Sequence, residues 1–134
     1  MPKTIYYGSS KEELVKHIYV DGGTRGNQIC LIDGSKKIVK KRKGRLTNND
    51  LEYLAVIYGL QYIISHYPSE VVRLHSDSRL IVQQTNGFWK VTTQSLFLLH
   101  FKAGRLLEKS HANLKWTPRQ FNLAGVYLEE LWDK

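Results

Sequence analysis

Cysteine is nearly missing from this chain; Cys30 is the only one. A lone thiol builds neither a disulfide framework nor a zinc cluster, and it fits a reducing, cytoplasmic compartment. Long apolar runs are missing too. None approaches the ~20 residues that a membrane-spanning helix needs, and Met1–Lys16 lacks the apolar core of a signal peptide. No membrane role is expected. Acidic residues are scarce, 12 against 20 Lys and Arg, for a formal charge of +8. That balance favours a polyanionic partner, because Lys and Arg at phosphates release condensed counterions. Plain solubility is the alternative reading of the same charge.

A chain of 134 residues is the size of one domain. No internal repeat or linker divides it, so it reads as a single unit over 1–134, with Met1–Lys16 as a short N-terminal extension. His17–Asp21 reads as the first strand. Gly22, Gly23 and Gly26 make a turn, and Gln28–Ile32 is a second strand. Asp33-Gly34 signals a hairpin, since Gly accepts the positive φ of tight turns. Ile38–Gly44 returns as a third strand. Seven of the ten residues from Lys36 to Arg45 are basic, which suits an exposed edge protected from further pairing; a phosphate clamp is the alternative. Asn49 or Asp50 can cap a long helix to about His66, apolar over Leu54–Leu60 and ended by Tyr67-Pro68. Val71–Asp77 is a fourth strand and Arg79–Thr85 a short helix. Thr93–Lys109 is a further helix, His111–Trp116 a fifth strand, and Asn122–Trp132 the last helix. Three antiparallel strands followed by alternating strands and helices give an α/β architecture, a five-stranded mixed sheet with helices packed on it.

Because acids are few, their positions matter. Asp21 ends the first strand, Asp77 ends the fourth, and Glu52 sits in the first turn of the long helix. Adjacent strand ends would bring Asp21 and Asp77 together, at the edge where open α/β sheets place their sites. Glu52 on a deeply packed helix needs compensation, since burying a carboxylate is costly without a cation or hydrogen bonds. Three converging carboxylates make sense around Mg²⁺, a hard cation that takes oxygen ligands and keeps waters for a phosphate. Each has a structural alternative: turn former, helix N-terminal charge and helix cap. The metal reading rests on their joint occurrence.

Several strings carry a family resemblance. Tyr19-Val20-Asp21-Gly22-Gly23, then Arg25-Gly26-Asn27, is similar to the first-strand signature of the type 1 ribonuclease H family. Thr47-Asn48-Asn49 followed by Glu52 resembles its T-N-N-x-x-E helix start. Ser76-Asp77-Ser78, with Leu80 to Gln84 and Asn86-Gly87, resembles the S-D-S stretch of bacterial and archaeal members. Trp116-Thr117-Pro118-Arg119 and Asn122 resemble the run before the last helix. The likeness covers about residues 17–128. It implies a ribonuclease H-like fold and an endonuclease that hydrolyses the RNA strand of RNA–DNA hybrids. Asp21, Glu52 and Asp77 would hold two divalent ions, Mg²⁺ or alternatively Mn²⁺, that activate a water and stabilise the leaving oxygen. Gly22, Gly23, the Arg25–Asn27 turn (Arg25, Gly26, Asn27), Asn48 and Asn49 would line the hybrid's minor groove, where 2′-hydroxyls distinguish RNA from DNA. Arg79, Trp89, Lys90 and Arg119 would serve the phosphate backbone, with packing as an equal role for Trp89. A monomer is expected.

The resemblance breaks at one ligand. The family's fourth acid, four residues after Asn122, is Val126 here, and the preceding alanine is Gly125. Glu129 or Glu130, one helical turn further on, can stand in by leaning toward the helix N-terminus, or both are ordinary surface charge. Alternatively, three carboxylates plus substrate phosphate suffice for a slower enzyme. The remaining reading is an inactive module that binds hybrid or double-stranded RNA. The three carboxylates favour activity. The histidine that the family often carries before the last helix is also missing; Trp116 and Arg119 mark that segment, and His111 lies too far upstream. With no room in Met1–Lys16 for a separate hybrid-binding domain, affinity is expected to come from the domain's own basic surface and to fall steeply with salt.

Overall fold

A computed structural model describes residues 15–132. The expected N-terminal extension therefore lies mostly outside the described residues, and Lys16 belongs to the first strand. Five strands form one sheet: β1 (Lys16–Gly23), β2 (Gln28–Asp33), β3 (Lys36–Lys41), β4 (Val72–Ser76) and β5 (Ala112–Trp116). Their order is β3-β2-β1-β4-β5. β1, β2 and β3 pair antiparallel, while β4 joins β1 and β5 joins β4 in parallel. The helices are α1 (Asn48–His66), α2 (Arg79–Thr85), α3 (Phe97–Lys109) and α4 (Leu123–Trp132). The mixed α/β sandwich expected from the sequence is the fold observed, and no helix among the described residues is long and apolar enough to cross a membrane.

Strand alternation divides the core. Ile18, Val20, Ile29, Leu31, Leu74 and Leu114 pack against Leu51, Val56, Leu60 and Ile63 of α1. The opposite face of β2 gives Cys30 and Ile32 to Ala124 and Leu128 of α4. β3 is the edge, and its lysines lie over aromatic rings: Lys36 near Tyr62 and Lys40 near Tyr58 of α1, Lys37 near Tyr127 of α4. The basic run thus covers the sheet edge with its aliphatic stems.

Several boundaries differ from expectation. β1 runs two residues past Asp21, because pairing with β2 continues to Gly23 opposite Gln28. β3 stops at Lys41, where its pairing with Gln28 ends. α1 is capped by Thr47, not Asn49 or Asp50. The Thr47 hydroxyl accepts from the Asp50 amide at 3.1 Å and the Asp50 carboxylate accepts from the Thr47 amide at 2.9 Å. This reciprocal pair fixes the helix start two residues earlier than Asn49 would and carries Glu52 beyond the first turn. Asp77 lies just past β4. A single 3₁₀ turn, Gln94–Leu96, precedes α3, and Asn122 caps α4 instead of belonging to it.

Candidate active site

The parallel pairing of β1 with β4 brings Asp21 beside Asp77, as the strand arrangement led us to expect. Glu52 joins them through a close approach. A Cβ on Gly22 would fall 2.3 Å from the Leu51 carbonyl oxygen, so only glycine lets α1 settle this near β1. The contact places the Glu52 carboxylate on the Gly22 amide at 3.1 Å. One ligand oxygen from each of Asp21, Glu52 and Asp77 then lies within 4.8 Å of the others. Asp21 and Glu52 are each only 6% exposed.

Asn122, fully buried, ties the cluster to the last helix. Its Nδ2 donates to the Val20 carbonyl at 2.9 Å and to Asp77 Oδ2 at 3.1 Å, while its Oδ1 accepts from the Ala124 amide at 3.2 Å. The segment carrying Asn122 is fixed from beneath by His75, whose Nδ1 lies 2.6 Å from the Thr117 hydroxyl. The Thr117 amide extends the β4–β5 pairing by donating to Ser76. Gly125 packs its backbone on the acids: a Cβ there would meet Asp77 Oδ2 at 3.1 Å and Asp21 Oδ2 at 3.4 Å.

Electrostatically the cluster is under-compensated. Burial, then the charge of Asp77, pushes the Asp21 carboxyl up to about 7 against the pull of Arg119. Burial and the charges of Asp21 and Asp77 push Glu52 to about 9. Asp77 is raised by burial, with the Asn122 hydrogen bond and Arg119 opposing. Three acids that resist joint ionisation, with hard oxygen donors in reach of one point, suit a divalent cation, whose charge would supply what the protein withholds.

A cleft of about 140 Å³ opens on the cluster, lined by Asp21, Gly22, Gly23, Arg25, Asn48 and Glu52 on one side and by Arg119, Gly125, Glu129 and Trp132 on the other. The two candidate stand-in acids separate here. Glu129 borders the cleft, its Oε1 accepting from Arg119 Nε at 3.0 Å, and also lines an outer depression with Arg119, Gln120 and Val126; Glu130 lines that depression but not the cleft. Neither belongs to the tight carboxylate group. Asn27 turns its side chain to the Gly44 carbonyl at 2.9 Å, and Gly26 lies behind Trp132. Asn49 follows Asn48 in the first turn of α1. Arg79 stacks on Trp116 at 4.2 Å, while Trp116 donates to the Asp77 carbonyl at 3.2 Å. Trp89 and Lys90 are exposed beyond α2, outside the cleft lining. Sequence reasoning missed Trp132 and the closeness of Gly125. A large aromatic closing the last helix was the visible signal for the first.

A family model described as reverse transcriptase-like matches residues 26–128. The ribonuclease HI of Halobacterium salinarum is 32% identical over 100 residues, covering 68% of this chain and 50% of that protein. The bifunctional protein Rv2228c of Mycobacterium tuberculosis is 34% identical over 116 residues, covering 78% and 32%. The chain thus spans between a third and half the length of these curated relatives. Among solved structures, the Halobacterium salinarum ribonuclease H1 superposes with a TM-score of 0.69 at 28% identity, over 89% of this chain and 98% of that one. The LC11 ribonuclease H1, solved in complex with an RNA/DNA hybrid, gives 0.68 at 26%, over 84% and 91%. Sheet order, the matched span and these likenesses agree, and the chain belongs to the reverse transcriptase-like, ribonuclease HI-type family.

Proposed function

We propose that this domain hydrolyses the RNA strand of RNA–DNA hybrids with the help of divalent cations, Mg²⁺ or Mn²⁺. The observation that carries the reading is the convergence of Asp21, Glu52 and Asp77, two buried acids and a half-buried one, where Arg119 and the local hydrogen bonds offset burial and mutual repulsion only in part. Cations held there would lower the pKa of a water and neutralise charge on the scissile phosphate. The protein's own part is orientation. Asn122 holds Asp77, and the Gly22 amide holds Glu52, so two of the three ligands have fixed directions. Water adds to phosphorus as the bond to the leaving ribose oxygen breaks. Arg119, at the cleft wall, meets the phosphate charge, and Gly22, Gly23, Arg25 and Asn48 face the ribose edge of the RNA strand. Glu129, not Glu130, is the acid we assign to the place left by Val126, since it alone of the two borders the cleft.

The test is cleavage of an end-labelled hybrid in Mg²⁺ and in Mn²⁺ by the wild type and by Asp77→Asn. Fragments with the wild type that vanish with Asp77→Asn support the reading; binding without fragments in either metal overturns it. Val126 favours that second outcome, a module that binds hybrid or double-stranded RNA without cutting, and a panel of hybrid, duplex RNA and duplex DNA separates these substrates.

A further inference from the structure

Trp132 closes α4 at 40% exposure, on the wall of the same cleft as Asp21 and Glu52. Its ring lies directly on the backbone of Gly26, where a Cβ would come within 2.6 Å of indole carbon Cζ2. Gly26 also sits at φ +78°, a conformation that side chains disfavour. From the next position, Arg25 donates through Nη2 to the Trp132 carbonyl at 3.4 Å and sets its guanidinium 5.3 Å from the ring centroid. That carbonyl is one of the unpaired acceptors of a helix C-terminus, where a cation is favoured.

The turn gripped in this way has little of its own to hold it. Its internal backbone bond runs from the Asn27 amide to Thr24 at 3.1 Å. On the far side, Asn27 is tied to Gly44 through its side chain and to Arg42 through its carbonyl. The segment between Gly23 and Gln28 is therefore clamped between the loop after β3 and the end of α4. The cleft stays open beneath the ring, so the contact braces the turn and does not cover it.

We propose that Trp132 is a positioning residue for substrate recognition: by bracing Arg25 and Gly26 it holds the turn at the height where its backbone and guanidinium meet the ribose face of an RNA strand. This rests on the hybrid-binding reading of the site. The substrate class follows from the chemistry of the turn, a close backbone approach without side chains plus one cation, which suits a hydroxyl-bearing sugar beside a phosphate.

The experiment compares wild type, Trp132→Ala, Trp132→Phe and Gly26→Ala on an RNA–DNA hybrid and a DNA duplex of the same sequence. Affinity is measured in EDTA, where nothing is cut, and KM and kcat in Mg²⁺. Trp132→Ala is expected to weaken hybrid binding and raise KM about tenfold with kcat within about twofold, the pattern of lost binding geometry without lost chemistry. Its preference for hybrid over duplex DNA shrinks, Trp132→Phe recovers most of the loss, and Gly26→Ala, which displaces the ring, moves the same way. A folded Trp132→Ala with unchanged or tighter hybrid binding overturns the inference, as does an equal loss on both nucleic acids. A wild type that binds hybrid and never cuts it sinks the nuclease reading alone, because the affinity comparison still decides this one. A wild type that does not bind hybrid at all removes both.

Discussion

The β1–β2 hairpin carries two buried aspartates that have opposite fates. Asp33, at one end, is 8% exposed, and Asp21, toward the other, is 6% exposed. Burial opposes the charge of Asp33, yet Lys16, Tyr67 and Tyr62 hold its carboxyl below the usual range. Lys16 Nζ lies at 2.6 Å, the Tyr62 hydroxyl at 2.8 Å and the Tyr67 hydroxyl at 2.6 Å. Asp21 has two acids for company, and its carboxyl is pushed up. At similar residue exposure, the Asp33 carboxyl has a lysine and two tyrosines to hold its charge, whereas Asp21, set deeper, is left in need of a proton or a cation. The acid end is built at the expense of stability, the Asp33 end in its favour.

Breaking the acid end is expected to cost chemistry. Asp77→Asn is expected to lower hybrid cleavage by about a thousandfold or more, the several kcal/mol that cation-assisted charge neutralisation supplies, read as initial rates. Breaking the other end costs stability instead. Asp33→Asn keeps an acceptor for the tyrosines but strands Lys16, so unfolding free energy in denaturant titrations should fall by about 1–3 kcal/mol, with cleavage per folded molecule unchanged.

Glu129 sharpens the contrast, since it belongs to neither end. Glu129→Gln is expected to reduce cleavage about tenfold if it completes ligation at the rim, whereas Glu130→Gln leaves the rate within about twofold. Equal behaviour of the two would make both ordinary surface charge.

The smallest effect is one of pH, and its sign differs between the ends. Asp21 and Glu52 have raised pKa values, about 7 and about 9. The folded state then binds protons more tightly than the unfolded one, and metal-free stability falls as pH rises from about 4 through those values. Asp33 has a lowered value, so its contribution is present above about 4 and is lost as pH falls through its folded pKa. Thermal melts in EDTA should decline on the alkaline side, and Mg²⁺ should restore stability there as it displaces protons. Glu52→Gln should raise the metal-free melting temperature at pH 8 by about 3 °C and abolish the Mg²⁺ increment.

Much of this was legible in the sequence because its causes are local. Asp33-Gly34 marked the hairpin and apolar Leu54–Leu60 the buried helix; the lysine run marked the edge strand that β3 is. The approach of Asp21 to Asp77 followed from strand adjacency, whereas Glu52 reaches them only because Gly22 lets α1 come close to β1. The illegible parts depend on distant partners. Asp33 read only as a turn residue, since Tyr62 and Tyr67 lie far along the chain. Thr47 took the cap from Asn49 because its reciprocal bond with Asp50 is a matter of helix phase. Glu129 and Glu130 are indistinguishable by spacing, and only the docking of α4 by Asn122 decides which one borders the cleft. Trp132 meets Gly26 across almost the whole chain, and no periodicity announces that contact.

The same Asn122 amide has a consequence for the growing polypeptide. It joins a carbonyl of β1, the carboxylate beyond β4 and the Ala124 amide in the first turn of α4, elements that leave a ribosome at widely separated moments. Until the last of them emerges, Asp77 lacks its orienting partner and the cleft lacks a wall. The three acids therefore reach their mutual arrangement only once α4 has docked, so the site forms with the finished fold and not before it.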